Sequence, residues 1–354
     1  MFENRQKRTE LSELGEFRLI DRLTKSVATR QKSTVLGIGD DAAILNFKKN
    51  QVLLSTDLLI EGVHFDMSYM PLKHLGYKAI MVNLSDIAAM NALPTQITVG
   101  LAVSNRYSVE ALEEIYAGML LACEKYNVDL VGGDTTSSTS GLIIAITVLG
   151  EAPQKNIVKR STAKSGDLIV VSGDLGAAYA GLLLLKREKE VFEKDPSIQP
   201  DLEGYTYVLE RQLRPEARVD MVERFADLNL NPTSMIDISD GLASEIIHLC
   251  EESTLGCQIY EEKIPIDPQT VTVAETFNMH PVTCALNGGE DYELLFTVSQ
   301  SDFEKINGQA GFHIIGYMTD TVSSKNLIST SGEAIPITAQ GWDGLKNKET
   351  TRET

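Results

Sequence analysis

The chain has 354 residues, 43% of them hydrophobic and 23% charged, and a formal net charge of -18. That length exceeds one comfortable hydrophobic core, so two domains are expected, with the composition of an ordinary soluble globular protein. The negative field argues against nucleic acid and anionic membrane as partners, and a polyanionic ligand would have to arrive with cations.

In chain order, residues 9–27 (TELSELGEFRLIDRLTKSV) carry the spacing of a short helix, with Leu19, Ile20 and Leu23 on one face. The apolar run 51–55 predicts a strand leading into Thr56-Asp57. Pro71 opens a long helical pattern, PLKHLGYKAIMVNLSDIAAMNA, in which Asp86 sits beside the small residues Ser85, Ala88 and Ala89. A carboxylate there is costly unless it meets a cation or a donor. A strand at 95–104, a helix from Ser108 to Tyr126, a short strand from Val128 to Val131 ending in a GGDTT turn, and the strand GLIIAITVLGEA follow. Pro153 and the polar stretch after it mark the boundary between a first domain, 1–152, and a second, 153–344.

The second domain opens with a strand at 167–172 and a Gly173-Asp174-Leu175-Gly176 turn into an Ala/Leu-rich helix. Residues 187–203 read as a charged surface loop or helix end. Helices are expected at 204–213 and 215–228, the latter with Pro215 in first position. The strand MIDIS reaches Asp240-Gly241, where the helix LASEIIHLCEE begins, and DYELLFTVS and GFHIIGYM are strands separated by a short helix. Residues 345–354 carry no apolar pattern and read as a disordered tail. The four cysteines, Cys123, Cys250, Cys257 and Cys284, lack zinc-type spacing and read as buried free thiols. With no apolar leader and no bilayer-length apolar run, a cytoplasmic, reducing location is expected.

Six segments place acidic residues beside Gly, Ser or Thr: Gly37-Ile38-Gly39-Asp40-Asp41, Ser55-Thr56-Asp57, Asn83-Leu84-Ser85-Asp86, Gly132-Gly133-Asp134-Thr135-Thr136, Asp237-Ile238-Ser239-Asp240-Gly241 and Asn287-Gly288-Gly289-Glu290-Asp291. Singly, each has a structural explanation, since Asp240 could cap a helix and Asp134 could close an Asx-turn. Together they suggest a polyphosphate held through several metal ions, because Mg²⁺ selects carboxylates and Gly-rich turns expose N–H groups to phosphate. The chain has no P-loop, no G-x-G-x-x-G before a helix and no protein-kinase signature set. Metals and backbone would then do the work of a P-loop lysine. A non-catalytic cation-binding protein would explain the carboxylates but not the Gly-Gly loops, and EF-hand spacing is missing.

The ordered set GEFRLI, GIGDDAAIL, STDLLIEGVHF, YKAIMVNLSDIAAMNALP, VGGDTT, RPEAR, IDISDGL and NGGEDYELLF resembles the thiamine-monophosphate kinases. These belong to the superfamily of aminoimidazole ribonucleotide synthetase and selenophosphate synthetase; the latter typically needs a reactive Cys or selenocysteine near its N-terminus, and no Cys here precedes Cys123. The resemblance implies a mixed α/β, two-domain fold resembling aminoimidazole ribonucleotide synthetase. It further implies a homodimer formed through the N-terminal sheet domain, and ATP in the cleft between domains. It implies Mg²⁺ ligands at Asp41, Ser55, Thr56, Asp57, Asp86, Asp134, Asp237 and Asp240, and ATP contacts at Gly133, Asp134, Arg160 and Ser239. His64, Glu290 and Trp342 match positions that hold thiamine monophosphate. Glu290 suits a cationic heterocycle, as does the indole face of Trp342. The sequence departs from the family pattern after Trp342, where Gly344-Leu345 stand in place of a His-Phe pair. The activity implied is direct, metal-assisted transfer from ATP to thiamine monophosphate with no general base, Asp86 and Asp134 being the most critical groups.

Overall fold

The computed structural model describes residues 9, 19, 20, 22–36, 38 and 43–340. Most of the helix expected at 9–27 and the expected tail lie outside the described residues, although Leu19, Ile20 and 22–24 are helical. Leu19 and Leu23 are buried in the first core.

The N-terminal part is a four-stranded sheet, ordered β3 (Gln51–Ile60), β6 (Ile143–Ala152), β4 (Leu93–Val103), β5 (Asp129–Ser137), with a small hairpin of β1 (Thr34–Leu36) and β2 (Ile44–Leu45) beside it. Two helices, α1 (Leu72–Ala88) and α2 (Val109–Tyr126), cover one face. They touch backbone to backbone: a Cβ on Gly76 would lie 1.9 Å from the Ile115 carbonyl oxygen, and one on Gly118 would lie 1.9 Å from that of Lys73. Period-2 alternation then sorts β3 into two sets. Leu53 and Leu59 are buried beneath α1, whereas Val52, Leu54 and Leu58 are 46%, 69% and 54% exposed on the uncovered face.

The C-terminal part is a seven-stranded sheet ordered β13 (Ala334–Pro336), β12 (Lys325–Ile328), β9 (Gly256–Tyr260), β11 (Phe312–Thr319), β7 (Leu168–Ser172), β10 (Leu294–Val298), β8 (Ser234–Asp237). All its pairings are antiparallel except β12 with β9. Both faces are covered, so the central strand β10 is buried at every position. Ile169, Val171 and Leu295 pack with α6 (Leu242–Ser253), while Val170, Leu294 and Phe296 pack with α5 (Asp220–Asp227). Helices α3 (Ala177–Lys194), α4 (Thr206–Leu213), α7 (Pro268–Thr276), α8 (Pro281–Asn287) and α9 (Phe303–Ile306) complete the domain.

Two expectations change. The GGDTT segment is not a turn: β5 runs straight through it, paired in parallel with β4 from Asp129 to Ser137. Its glycine serves close approach, since a Cβ on Gly133 would lie 2.0 Å from the Val99 carbonyl oxygen. The helix expected from Pro215 begins only at Asp220, because 215–218 stay non-helical. From there Glu216 reaches Tyr77 (2.7 Å) and Lys125 (2.7 Å) of the first domain, while Arg218 reaches Glu293 (2.5 Å). The charged stretch 187–203 begins as a helix end, one of the two forms expected of it: α3 runs to Lys194, and Lys189 pairs with Asp66 across the domains at 2.5 Å.

Candidate active site

Alternation on β3 turns Ser55 and Asp57 toward α1. The Ser55 hydroxyl donates to Asp86, and Asn83 Oδ1 of α1 accepts from the Asp57 backbone N–H at 3.1 Å. From the same helix the Ser85 hydroxyl donates to Asp237 Oδ2 at 2.6 Å, bringing in the end of β8 from the other domain. Three carboxylates from three elements thus come together where the two domains meet. Burial, and then the charge of Asp86, push Asp57 up to about 6 and the fully enclosed Asp237 up to about 7. Asp86 is itself raised by burial, moderated by the Ser55 hydroxyl and the Arg160 guanidinium. Arg160 lies exposed on the strand-to-strand connection, close enough to hold both Asp86 and Asp237 down.

Beyond β8, Ser239 and Asp240 are tied by Glu245 of α6, whose Oε1 accepts the Asp240 N–H at 2.9 Å and the Ser239 N–H at 3.3 Å. Burial, with Asp240 and Asp237 adding to it, raises that carboxyl to about 8. The adjacent loop is registered to this one, the Glu290 N–H donating to the Ser239 carbonyl at 2.7 Å. Glu290, at φ +60°, points back to the first domain: Lys78 Nζ of α1 pairs with Oε1 at 2.8 Å, and Gln212 Nε2 donates to Oε2 at 2.8 Å. His64 Nδ1 accepts the Ile60 N–H at 3.0 Å, which leaves the ring proton of the neutral form on Nε2. Its pKa is lowered, burial first, with Lys78 adding to that and Glu290 opposing it.

Not every candidate is drawn in. The Thr56 side chain turns to the opposite face, where its hydroxyl bonds the Ile146 carbonyl at 2.9 Å. Asp134 sits on that opposite face too, in the row Leu58, Ala145, Gly100, Asp134 across the sheet. Three strand spacings put it roughly 14 Å from the β3 edge. Asp41 and Trp342 lie outside the described residues.

Both halves of the chain match known domains. AIR synthase related protein, N-terminal domain, matches residues 39–152, and AIR synthase related protein, C-terminal domain, matches 164–324. The thiamine-monophosphate kinase of Bacillus subtilis (strain 168) is 34% identical over 341 residues, 94% of this chain and 100% of the relative. That of Aquifex aeolicus (strain VF5) is 38% identical over 287 residues, 81% and 87% of the two chains. The chain belongs to the thiamine-monophosphate kinase family. Among solved structures, AaThiL complexed with AMPPCP and TMP is 34% identical with a TM-score of 0.72, covering 94% of this chain and 98% of that one. Thiamine-monophosphate kinase from Stenotrophomonas maltophilia K279a is 30% identical with a TM-score of 0.75, covering 91% and 98%. The hydrogenase maturation protein HypE in complex with ATP shares the fold at 18% identity and a TM-score of 0.71, covering 90% and 94%.

The donor set fits the Mg²⁺ expected of a thiamine-monophosphate kinase. All the side-chain donors are oxygens, and Asp57 and Asp237 are raised toward neutrality in part by the charge of Asp86 beside them. Among the described residues no three His, Cys, Asp or Glu side chains converge to chelate an ion alone. Mg²⁺ characteristically takes one or two carboxylates and completes its shell with water and phosphate oxygens. Four contributors escaped the sequence reading. Lys78 and Ser85 look like core positions of a helix, and Glu245 looks like a first-turn carboxylate. The fourth, Tyr292, is buried where the charges of Glu290, Asp237, Asp57 and Asp240 all raise its hydroxyl pKa further. Its place inside NGGEDYELLF was the available signal. In that motif Asp291 is structural, accepting the Gly176 N–H at 2.7 Å, and Glu293 holds Arg211 at 3.0 Å and Arg218 at 2.5 Å.

Proposed function

We propose that this chain transfers the γ-phosphoryl group of ATP directly to thiamine monophosphate, giving thiamine diphosphate and ADP. The observation that carries this reading is the interdomain cluster of Asp57, Asp86 and Asp237 facing Arg160, in a member of a kinase family whose relative AaThiL takes AMPPCP and TMP. The acceptor's phosphate has a second pKa near ~6 and is largely a dianion at neutral pH, so attack needs no protein base. His64 fits that scheme as a neutral donor rather than a base. Mg²⁺ ions, held by Asp57, Asp86 and Asp237 with Ser55 and Asp240 nearby, would supply the charge neutralisation that lets one anion approach another. Arg160 adds a planar fork for phosphate oxygens at the mouth, and Glu245 keeps the Ser239-Asp240 loop in place. The test is to incubate the protein with ATP, Mg²⁺ and thiamine monophosphate and assay thiamine diphosphate; no product overturns the reading. A stable radiolabelled phosphoprotein during turnover overturns direct transfer.

We infer a homodimer closed over the uncovered face of the N-terminal sheet. Leu54, Leu58 and Val52 form an exposed apolar stripe there, of the kind that marks an interaction surface. Asp134 shares that face at the opposite edge, so a second copy could deliver its own Asp134 toward the β3 edge of the first. Light scattering that finds a monomer at micromolar concentration removes this arrangement. The domain boundary is placed after Ala152. A cytoplasmic location fits four free thiols, all buried, and described helices of which none is long and apolar enough to cross a membrane.

A further inference from the structure

Lys78 is a buried cation without a role in the mechanism above. Its residue is 1% exposed and lies in the middle of α1 among apolar neighbours. Its Nζ reaches across the domain boundary to two acceptors, Glu290 Oε1 at 2.8 Å and the Gln212 carbonyl at 3.0 Å. Seven residues on, close to two helical turns and so on the same face, Ser85 makes the other crossing, to Asp237. The two crossings meet again through the backbone, because the Glu290 N–H bonds the Ser239 carbonyl two residues after Asp237. A closed ring results: Lys78, Glu290, Ser239, Asp237, Ser85 and α1.

Glu290 occupies a left-handed backbone conformation rarely taken by side-chain-bearing residues. Both its carboxylate oxygens are already engaged, one by Lys78 and one by the Gln212 amide. A carboxylate so held cannot swing to follow a ligand. An isolated charge buried as deeply as Lys78 is strongly unfavourable unless paired, so this orientation is fixed from the side of α1.

We propose that Lys78 is a positioning residue for the organic half of the phosphate-bearing substrate. It acts through Glu290, whose carboxylate it holds at the domain boundary in fixed register with the Ser85-Asp86 end of the same helix. This rests on the reading of thiamine monophosphate as the substrate. The Lys78 ammonium bonds Glu290 and the Gln212 carbonyl rather than Asp57, Asp86 or Asp237, so its influence is expected on the non-nucleotide substrate.

The experiment is a double-mutant cycle on steady-state constants, using the full-length protein and wild type as the first arm. Wild type that makes no thiamine diphosphate sinks the functional reading itself and this inference with it. Given an active wild type, K78M is expected to raise KM for thiamine monophosphate about 10-fold or more and leave KM for ATP within about 2-fold. E290Q should do the same, and K78M/E290Q should be no worse than E290Q. If the two effects multiply, or if K78M moves both KM values equally, the positioning role is wrong. Should K78M fail to fold because Glu290 is left unpaired, the comparison of E290Q with K78M/E290Q still decides. Equal KM values support action through Glu290, and a further 10-fold rise overturns it.

Discussion

Replacing Asp86 by Asn should stabilise the metal-free protein while destroying its activity. The amide has the shape of the carboxylate, and its oxygen can still accept from the Ser55 hydroxyl. What is lost is the charged share of that bond, about 1 kcal/mol, together with some attraction to Arg160. What is gained is relief of crowding, since the Asp86 charge raises both Asp57 and Asp237. Two unit charges about 4–8 Å apart at an effective dielectric near 20 repel by about 2–4 kcal/mol. Asp57 is partly solvated, and screening reduces its share. The net expected is a stabilisation of about 1–3 kcal/mol at pH 8 in EDTA, read as a rise in Tm of about 2–10 °C. At pH 5, where Asp57 and Asp237 hold their protons, the gain should largely vanish. With ATP, Mg²⁺ and thiamine monophosphate, turnover should fall by about 10²–10³-fold or more, as when a preorganised electrostatic partner is removed. The assay pairs melts in EDTA at the two pH values with product formation. A D86N protein less stable than wild type at pH 8, or one keeping a tenth of the activity, refutes the reasoning.

Wild type itself should lose stability in EDTA as pH rises from about 4 through about 7. The folded protein keeps protons on Asp57 and Asp237 that an unfolded chain, with carboxyls near 3.8, has released. Added Mg²⁺ should therefore raise Tm more at pH 8 than at pH 5, and equal shifts would contradict this. Mixing inactive D86N with inactive D134N in equal amounts, after exchange of subunits, should restore up to about a quarter of wild-type activity per site if Asp134 comes from the second copy; no recovery assigns Asp134 elsewhere. L54D should convert the dimer to monomer by light scattering while leaving the melting of the C-terminal domain unchanged. G133V should prevent soluble expression or lower Tm by about 5 °C or more, because its Cβ would meet the Val99 carbonyl at 2.0 Å; a melt like that of wild type would show that β4 and β5 can part there.

Local pattern made much of this protein legible from sequence. Burial periodicity placed α1, α2 and the strands ending at Asp237 and Ala152, since each element declares its own apolar face. Acid beside Gly or Ser marked Asp57, Asp86 and Asp237, and the docking of the two domains does bring these three together. Local pattern also misled, and for a physical reason. A Gly-Gly-Asp reads as a turn by conformational preference, whereas Gly133 is there because a neighbouring strand passes too close for a side chain. Which acid faces which partner was beyond the sequence altogether. Thr56 and Asp57 are adjacent yet point to opposite faces, and Asp134 shares the face of Thr56. Lys78 and Ser85 have the spacing of core residues, and only the docking of the second domain turns that buried helix face into two crossings, to Glu290 and Asp237. Sequence determines what each element can offer, because propensity and apolar periodicity act within a few residues. Tertiary structure decides which offers meet, because the two crossings that close this site, Ser85 to Asp237 and Lys78 to Glu290, span more than 100 residues and depend on how the two sheets are held.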